Sequence, residues 1–218
     1  MRTGDLSTTL AGETLVLTPE RAVYWPRTET LLVADTHWGK AATMRAAAIP
    51  VPGGTTTSDL QRLSKLIAEM KAKRLVLLGD AIHSRKGRAA KTFATVAQWR
   101  NHHVNLDILL VRGNHDRGAG DPPEELRIHC ADPPWTELPF VFQHFPEPAA
   151  SGYALSGHLH PAIRLRGRGK ERLTLCCYWF TPRFGVLPAF GSLTGNAYVE
   201  PGDQDQVFAI AEDEVIAV

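Results

Sequence analysis

The sequence has few cysteines and no long apolar stretch. Its 218 residues contain three cysteines, two of them adjacent, at positions 130, 176 and 177. An odd count with an adjacent pair predicts no disulfide framework and is typical of a reducing compartment. No apolar stretch approaches the roughly 18 residues that a membrane-spanning helix needs, and Met1 to Glu13 lacks the pattern of a secretory signal. We therefore expect a cytoplasmic protein that does not associate with a membrane.

The sequence also lacks a large excess of either positive or negative charge. The formal net charge is +1, and 22% of the residues are charged. This balance excludes the global basic field that many nucleic-acid-binding proteins carry, so an anionic partner must be bound by a local group of residues. The length and the 44% of hydrophobic residues favour one domain that covers residues 1–218.

In the first half of the chain, short apolar runs alternate with helical patterns. The runs 31–34, 74–78 and 106–111 predict buried strands. A capping box of Ser58 and Gln61 predicts a helix over residues 59–72, and a second helix is predicted over residues 89–100. Strands that alternate with helices predict a parallel sheet, whose functional crevice lies at the carboxyl ends of the strands.

The second half of the chain shows short strand patterns with few helical signals. They begin at residue 140 and recur to the end of the chain. This part of the sequence predicts a second sheet that is largely antiparallel.

Nearly every predicted buried strand is followed by side chains that can bind a metal. The series consists of Asp-x-His at 35–37, Gly-Asp at 79–80, Gly-Asn-His-Asp at 113–116, His144, and Gly-His-x-His at 157–160. If residues 35–37 stay extended, Asp35 and His37 project from the same face. Each block alone is typical of an ordinary turn. Together, in this order, the blocks resemble the binuclear metallophosphoesterase (calcineurin-like phosphoesterase) superfamily. The resemblance implies an α/β fold with two packed mixed β-sheets flanked by helices, an αββα sandwich.

The resemblance also implies two metal-binding groups that share Asp80. One group is Asp35, His37, Asp80 and His160, and the other is Asp80, Asn114, His144 and His158. Imidazole, carboxylate and amide ligands without a thiolate suit Mn, Fe, Co or Zn, and the resemblance favours two Mn²⁺ ions. Two divalent ions, two carboxylates and a bridging hydroxide leave a cationic site, which binds a phosphate oxygen and supplies the attacking hydroxide.

His115 lies beside a predicted ligand but is not one itself. In the superfamily this histidine contacts the phosphate or the leaving group, and an imidazole can donate a proton near neutral pH. We therefore predict that His115 is the general acid, and that Asp116 holds its ring as carboxylates commonly do for working imidazoles.

Two further stretches resemble a narrower family. The stretches 35–55 and 187–195 look like the ligase-associated DNA damage response endonuclease (PdeM) family, whose members are encoded with a DNA ligase, a helicase and a nuclease. The resemblance implies a phosphodiesterase that cleaves single-stranded DNA in repair, in functional association with a DNA ligase, a helicase and an exonuclease. A phosphohydrolase acting on a nucleotide or pyrophosphate is the alternative, and a non-enzymatic assembly protein is a third hypothesis.

Basic residues near the motifs are candidate DNA contacts. They are Lys40, Arg85, Lys86, Arg88, Arg112 and Arg117. His83 either contacts the substrate or forms a hydrogen bond within its own loop. A second basic set alternates through a predicted hairpin, with its turn at 167–169, and comprises Arg164, Arg166, Arg168, Lys170 and Arg172. On a strand, alternate residues share a face, so this set either follows a phosphate backbone or only solubilises the tip of the hairpin.

Overall fold

The first sheet combines an antiparallel half with a parallel half. The computed structural model describes residues 2–166 and 172–218. The antiparallel strands are β1 (Leu6–Leu10), β2 (Glu13–Leu17), β3 (Val23–Trp25) and β4 (Thr30–Val33). Parallel to β4 follow β5 (Arg74–Leu77), β6 (Asp107–Val111) and β7 (His129–Ala131). The predicted parallel sheet is therefore confirmed, whereas β1 and β7 were not predicted.

Four α-helices are present in the described part of the chain. They are α1 (Lys40–Ala46), α2 (Thr55–Met70), α3 (Ala90–His102) and α4 (Asn114–Ala119). The predicted capping box at Ser58 is wrong, because the Ser58 N–H already donates a helical hydrogen bond to the carbonyl of Gly54, which caps α2. The short helix α4 also replaces the loop that the sequence predicted after Gly113.

The second sheet is mixed. Its strands in spatial order are β14 (Ala197–Tyr198), β11 (Pro161–Arg166), β12 (Arg172–Phe180), β13 (Phe184–Val186), β10 (Tyr153–Ser156), β9 (Phe140–Phe142) and β8 (Trp135–Glu137). Strands β15 (Gln206–Ala211) and β16 (Glu214–Ala217) extend it from β12. Most pairs are antiparallel as predicted, but β9, β10 and β13 are parallel. As a result, β9 and β10 end at the same edge of the sheet.

Strands β11 and β12 form the predicted basic hairpin. Arg164 faces Thr174 and Arg166 faces Arg172 across the antiparallel pair, so these positions share one face of the sheet. The turn predicted at 167–169, together with Arg168 and Lys170, lies outside the described residues.

Two apolar layers cover the first sheet. Leu32, Val76 and Leu109 point into the core between the two sheets, where they meet aromatic side chains such as Phe140 and Phe142. The alternate side chains of the same strands pack against α2 and α3 in a second core. Burial on both faces explains why these strands read as continuous apolar runs. The structure confirms the predicted α/β fold of two mixed sheets flanked by helices.

None of the helices in the described parts of the chain combines the length and apolar character that crossing a membrane requires.

Candidate metal centre

The predicted metal ligands lie where strands of both sheets end. Asp35 follows β4, Asp80 follows β5, and Asn114 is the first residue of α4 after β6. From the second sheet, His144 follows β9 and His158 follows β10. The carboxyl ends of parallel strands in two sheets therefore meet at one edge of the sandwich, which is the crevice that the sequence predicted.

The first group of donors is Asp35, His37 and His160. One ligand atom from each lies within 4.8 Å of the others. The Asp35 side chain is fully buried; Oδ2 accepts a hydrogen bond from the His158 backbone N–H, whereas Oδ1 has no hydrogen-bond partner among the described residues. A buried carboxylate oxygen without a partner is costly unless a cation binds it. His160 Nε2 lies 3.5 Å from this oxygen, and its Nδ1 lies 3.0 Å from the Gly195 carbonyl.

The second group is Asp80, His144 and His158, also within 4.8 Å of one another. His144 Nδ1 lies 3.0 Å from the Leu78 carbonyl, to which it can only donate, so Nε2 faces the site. There it meets Asn114 Oδ1 at 3.1 Å, His158 Nδ1 at 3.1 Å and Asp80 Oδ2 at 3.3 Å. Four nitrogen and oxygen donors that converge on one point suit a divalent cation.

The two groups are adjacent, and the chemistry of their donors fits two divalent metal ions. Asp80 Oδ2 lies 3.3 Å from His144 Nε2 in the second group, and the Asp80 carbonyl accepts a hydrogen bond from the N–H of His37 in the first. Asp80 therefore lies between the groups, where one carboxylate can serve both ions.

Three glycines of the motifs leave room for ligands that come from other motifs. A Cβ at Gly79 would lie 2.2 Å from His144 Nδ1, and one at Gly113 would lie 2.2 Å from Asp80 Oδ1. A Cβ at Gly157 would lie 2.5 Å from Asp35 Oδ2. Each distance is far below a van der Waals contact, so these glycines are required by packing around the ligands.

Five of the seven predicted ligands have a left-handed backbone. The φ angles are 54° at Asp35, 46° at His37, 53° at Asp80, 71° at His158 and 51° at His160. The prediction that the strand stays extended through Asp35 and His37 is therefore wrong. The two side chains do converge, but the chain turns at Asp35 and His37, whose N–H donates to the Asp80 carbonyl. Left-handed non-glycine residues concentrate at functional sites.

A trio of histidines lies beside the first metal group. The rings of His83 and His115 stack with centroids 4.9 Å apart, and His83 Nδ1 lies 3.3 Å from His37 Nδ1. His37, His83 and His115 also place three ring nitrogens within 4.8 Å of one another. The sequence left the role of His83 open, and the structure places it inside the site.

The His115 ring is held by a backbone carbonyl and not by Asp116. His115 Nδ1 donates to the His83 carbonyl at 2.6 Å. Asp116 is fully buried and accepts hydrogen bonds from the backbone N–H groups of Ile82 and Gly113, both at 2.9 Å. The predicted role of Asp116 is therefore wrong: Oδ2 caps the start of α4 at Gly113, and Oδ1 joins α4 to the segment after β5 through Ile82.

Burial sets the charge of several groups in the site. It lowers the pKa of His37 to about 2, and together with the charge of Lys40 it lowers the pKa of His83 to about 4, so both rings are neutral. Burial is the largest single effect on His144 and lowers its pKa, but the hydrogen bond to Asp80 and the charges of Asp80 and Asp35 together outweigh it and raise the pKa overall. The Asp80 carboxylate thus attracts positive charge to the point where the second group of donors converges.

Several of the predicted DNA contacts already have partners within the protein. Arg112 forms two hydrogen bonds of 2.7 Å with Asp121 and lies 3.4 Å from Asp132, so it is held by these acidic side chains, and its contact with substrate stays a prediction. Lys40 is half-buried, and burial lowers its pKa. The charges of the Asp35 and Asp80 carboxylates offset part of this decrease. The remaining basic residues stay candidates, although Arg85 and Arg88 donate to carbonyls of residues 118–121, and Arg117 lies 3.5 Å from Asp132.

The fold and the donors together define a hydrolase of the binuclear metal-dependent class. The model of the calcineurin-like phosphoesterase family matches residues 29–203, and the chain belongs to this family. Among solved structures, the chain is similar to the nuclease MPE of Pseudomonas putida, with 40% identity, a TM-score of 0.87 and coverage of 97% of this chain and 100% of the other. This likeness is consistent with the resemblance to the PdeM family.

Two other comparisons add little. Yfce, a phosphoesterase from E. coli, shares 15% identity with a TM-score of 0.40, over 84% of this chain and 88% of that one. This similarity is too low to support an inference. No curated protein matches the sequence.

Proposed function

We propose that this phosphoesterase cleaves DNA, preferentially single-stranded DNA, as a metal-dependent phosphodiesterase in repair. The observation that carries the proposal is a complete set of seven donors in two adjacent groups, on a chain that resembles a nuclease over 97% of its length. The finer points, which are DNA as substrate, the preference for single strands and the repair role, also rest on the resemblance to the PdeM family.

The seven donors would hold two metal ions, and we propose Mn²⁺ for both. Asp35, His37 and His160 belong to one ion, Asn114, His144 and His158 belong to the other, and Asp80 serves both. When bound, such a pair of ions acts as a Lewis acid on the phosphate and lowers the pKa of the attacking water.

His115 is proposed as the general acid. Because Nδ1 donates to the His83 carbonyl, Nε2 is the nitrogen that can hold or deliver a proton, and it lies 3.9 Å from Asp80 Oδ2. The side chain is 39% exposed, so it is accessible to a bound phosphodiester. Proton donation from Nε2 to the departing oxygen removes the need for an unstabilised alkoxide.

Lys40 is a basic residue close in the chain to a predicted ligand. It is the first residue of α1, three positions beyond His37. We propose that Lys40 binds a phosphate oxygen, and that His83, Arg85, Lys86, Arg88 and Arg117 contribute to DNA binding.

A cleavage assay tests the proposed function. The purified chain is incubated with Mn²⁺, Mg²⁺, Co²⁺ or Zn²⁺ and with single-stranded DNA, duplex DNA or a phosphate monoester. We expect cleavage of single-stranded DNA with Mn²⁺, loss of cleavage in Asp80→Asn together with loss of bound metal, and loss of cleavage in His115→Ala with metal content retained. Hydrolysis of monoesters or nucleotides without cleavage of DNA would overturn the proposal in favour of a small-molecule phosphohydrolase.

From the resemblance to the PdeM family we further propose a cytoplasmic location and a functional association with a DNA ligase, a helicase and an exonuclease. Deletion of the gene for this protein and deletion of any one of the three partner genes should each impair DNA repair. A double deletion with no greater defect than the single deletions would support the association.

A further inference from the structure

Phe145 is an exposed aromatic residue in direct contact with two predicted metal ligands. It follows His144 in the chain and is 45% exposed. Its ring centroid lies 4.5 Å from that of His158 and 5.3 Å from that of His144, with both pairs edge to face. Its large apolar ring is therefore partly exposed beside the candidate metal centre.

Phe145 and its neighbour, the predicted ligand His144, also line a cavity. The cavity has a volume of about 230 Å³ and extends from His144 and Phe145 to the prolines at 133 and 134 and the small residues at 149–151. No lysine or arginine lines it among the described residues, and its one acidic lining residue is Glu147. A lining with one carboxylate and no cation disfavours a phosphate group and suits an uncharged one.

Gln143 gives this cavity a fixed polar atom. Its side-chain amide nitrogen donates to the carbonyls of Phe145 and Glu147 at 2.9 Å and 2.7 Å. These two bonds use both N–H groups, so the orientation of the amide is fixed and its oxygen is left as an acceptor. An acceptor at the edge of a flat apolar cavity can pair with an exocyclic amino group or a ring N–H of a nucleobase.

We propose that Phe145 and this cavity bind the nucleobase next to the phosphodiester that the enzyme cleaves. The inference rests on the proposed function, because a base is joined to a phosphate at the metal centre through a single sugar. The Phe145 ring, in contact with the predicted ligand His158, is within that reach. Stacking on an aromatic side chain is tolerant of base identity and is used by proteins that bind single strands. A base inside a duplex is already stacked and paired, so this subsite favours single-stranded DNA.

The test compares two oligonucleotides and three proteins. One single-stranded oligonucleotide carries normal bases, and the other carries abasic tetrahydrofuran residues on both sides of the cleavage site. The proteins are the wild type, Phe145→Ala and Phe145→Trp, each loaded with Mn²⁺ and each checked for bound metal. We expect the wild type to have a KM about tenfold lower for the normal oligonucleotide than for the abasic one. Phe145→Ala should abolish this difference, and Phe145→Trp should preserve it.

The outcomes separate this inference from the proposed function. If Phe145 only supports the ligand rings, Phe145→Ala lowers metal content or the cleavage of both oligonucleotides by the same factor, and the inference is overturned. An undiminished preference for the normal oligonucleotide in Phe145→Ala also overturns it. If the wild type cleaves neither oligonucleotide, the proposed function itself fails.

Discussion

At the residue scale, the site consists of side chains that the backbone holds in an unfavourable conformation. Five predicted ligands have positive φ angles between 46° and 71°. In that region a residue with a Cβ is less stable than glycine by about 1 kcal/mol. The hydrogen bonds around the site compensate for this cost, for example the bond of 2.9 Å from the His158 N–H to Asp35.

His158 allows this cost to be measured. In the presence of a chelator, His158→Gly should be more stable to urea than His158→Ala by about 1 kcal/mol, because only alanine retains the unfavourable Cβ at a φ of 71°. Both variants should be inactive, and both keep the N–H that binds Asp35. Equal stability of the two variants would show that the backbone at this position is not strained.

The lack of a side chain at Gly113 leaves room for Asp80, a predicted ligand from another motif. Gly113→Ala places a Cβ where Asp80 Oδ1 now lies, so the carboxylate must move. We expect metal affinity, measured by titration, to fall by about 10- to 100-fold, as for other residues that position ligands. Gly118→Ala is the matched control, because a Cβ there meets nothing within 4 Å. Loss of metal in both variants would contradict this explanation.

At the element scale, Asp116 fastens α4 to the segment after β5. Its carboxylate accepts hydrogen bonds from the Gly113 and Ile82 N–H groups, and burial raises its pKa. The Ile82 segment leads to His83, whose carbonyl holds the His115 ring. Asp116 therefore positions His115 through the backbone, although the two side chains do not form the contact that the sequence predicted.

Removing Asp116 should be costly for stability. Asp116→Ala leaves two buried N–H groups without an acceptor, and each such group costs about 1–3 kcal/mol. We expect about 2–4 kcal/mol of destabilisation in Asp116→Ala and about half of that in Asp116→Asn, by urea denaturation. Asp121→Asn, which weakens the exposed ion pair with Arg112, should cost less than about 1 kcal/mol. A milder effect for Asp116→Ala than for Asp121→Asn would refute this role.

At the scale of the whole molecule, the metal centre joins the two sheets. Four of the predicted ligands follow strands of the first sheet, and three histidines follow strands of the second. Metal ions held by both sets would bind only the folded chain and would therefore stabilise it by mass action. The core between the sheets and the metal centre therefore act together.

Removal of the metals should lower the melting temperature. At a free Mn²⁺ concentration 100 times the dissociation constant, binding of one ion adds about 2.7 kcal/mol to the free energy of unfolding. A calorimetric scan of the Mn²⁺-loaded protein should therefore melt several degrees above the same protein in excess chelator. Asp80→Asn should melt at one temperature under both conditions. An identical melting temperature for the wild type with and without chelator would show that the donors bind no metal.

The sequence by itself determined the parallel strands β4, β5 and β6, the longer helices α2 and α3, and the residues that converge at the ends of these strands. Both follow from local information: apolar runs buried on two faces, and donor side chains directly after them. The same information predicted the mixed two-sheet fold through its resemblance to a known family, which the comparisons confirm.

Only the tertiary structure decided what each polar group at the site contacts. The His115 ring forms a hydrogen bond with the carbonyl of His83, and Asp116 accepts a hydrogen bond from a backbone N–H. Arg112 pairs with Asp121, and the Phe145 ring packs against His158. Apart from the Gly113 N–H, which lies three residues from Asp116, the partners of these side chains lie between 9 and 34 residues apart in the sequence. A hydrogen bond between groups so far apart depends on how the sheets pack, and no local pattern in the sequence records that packing.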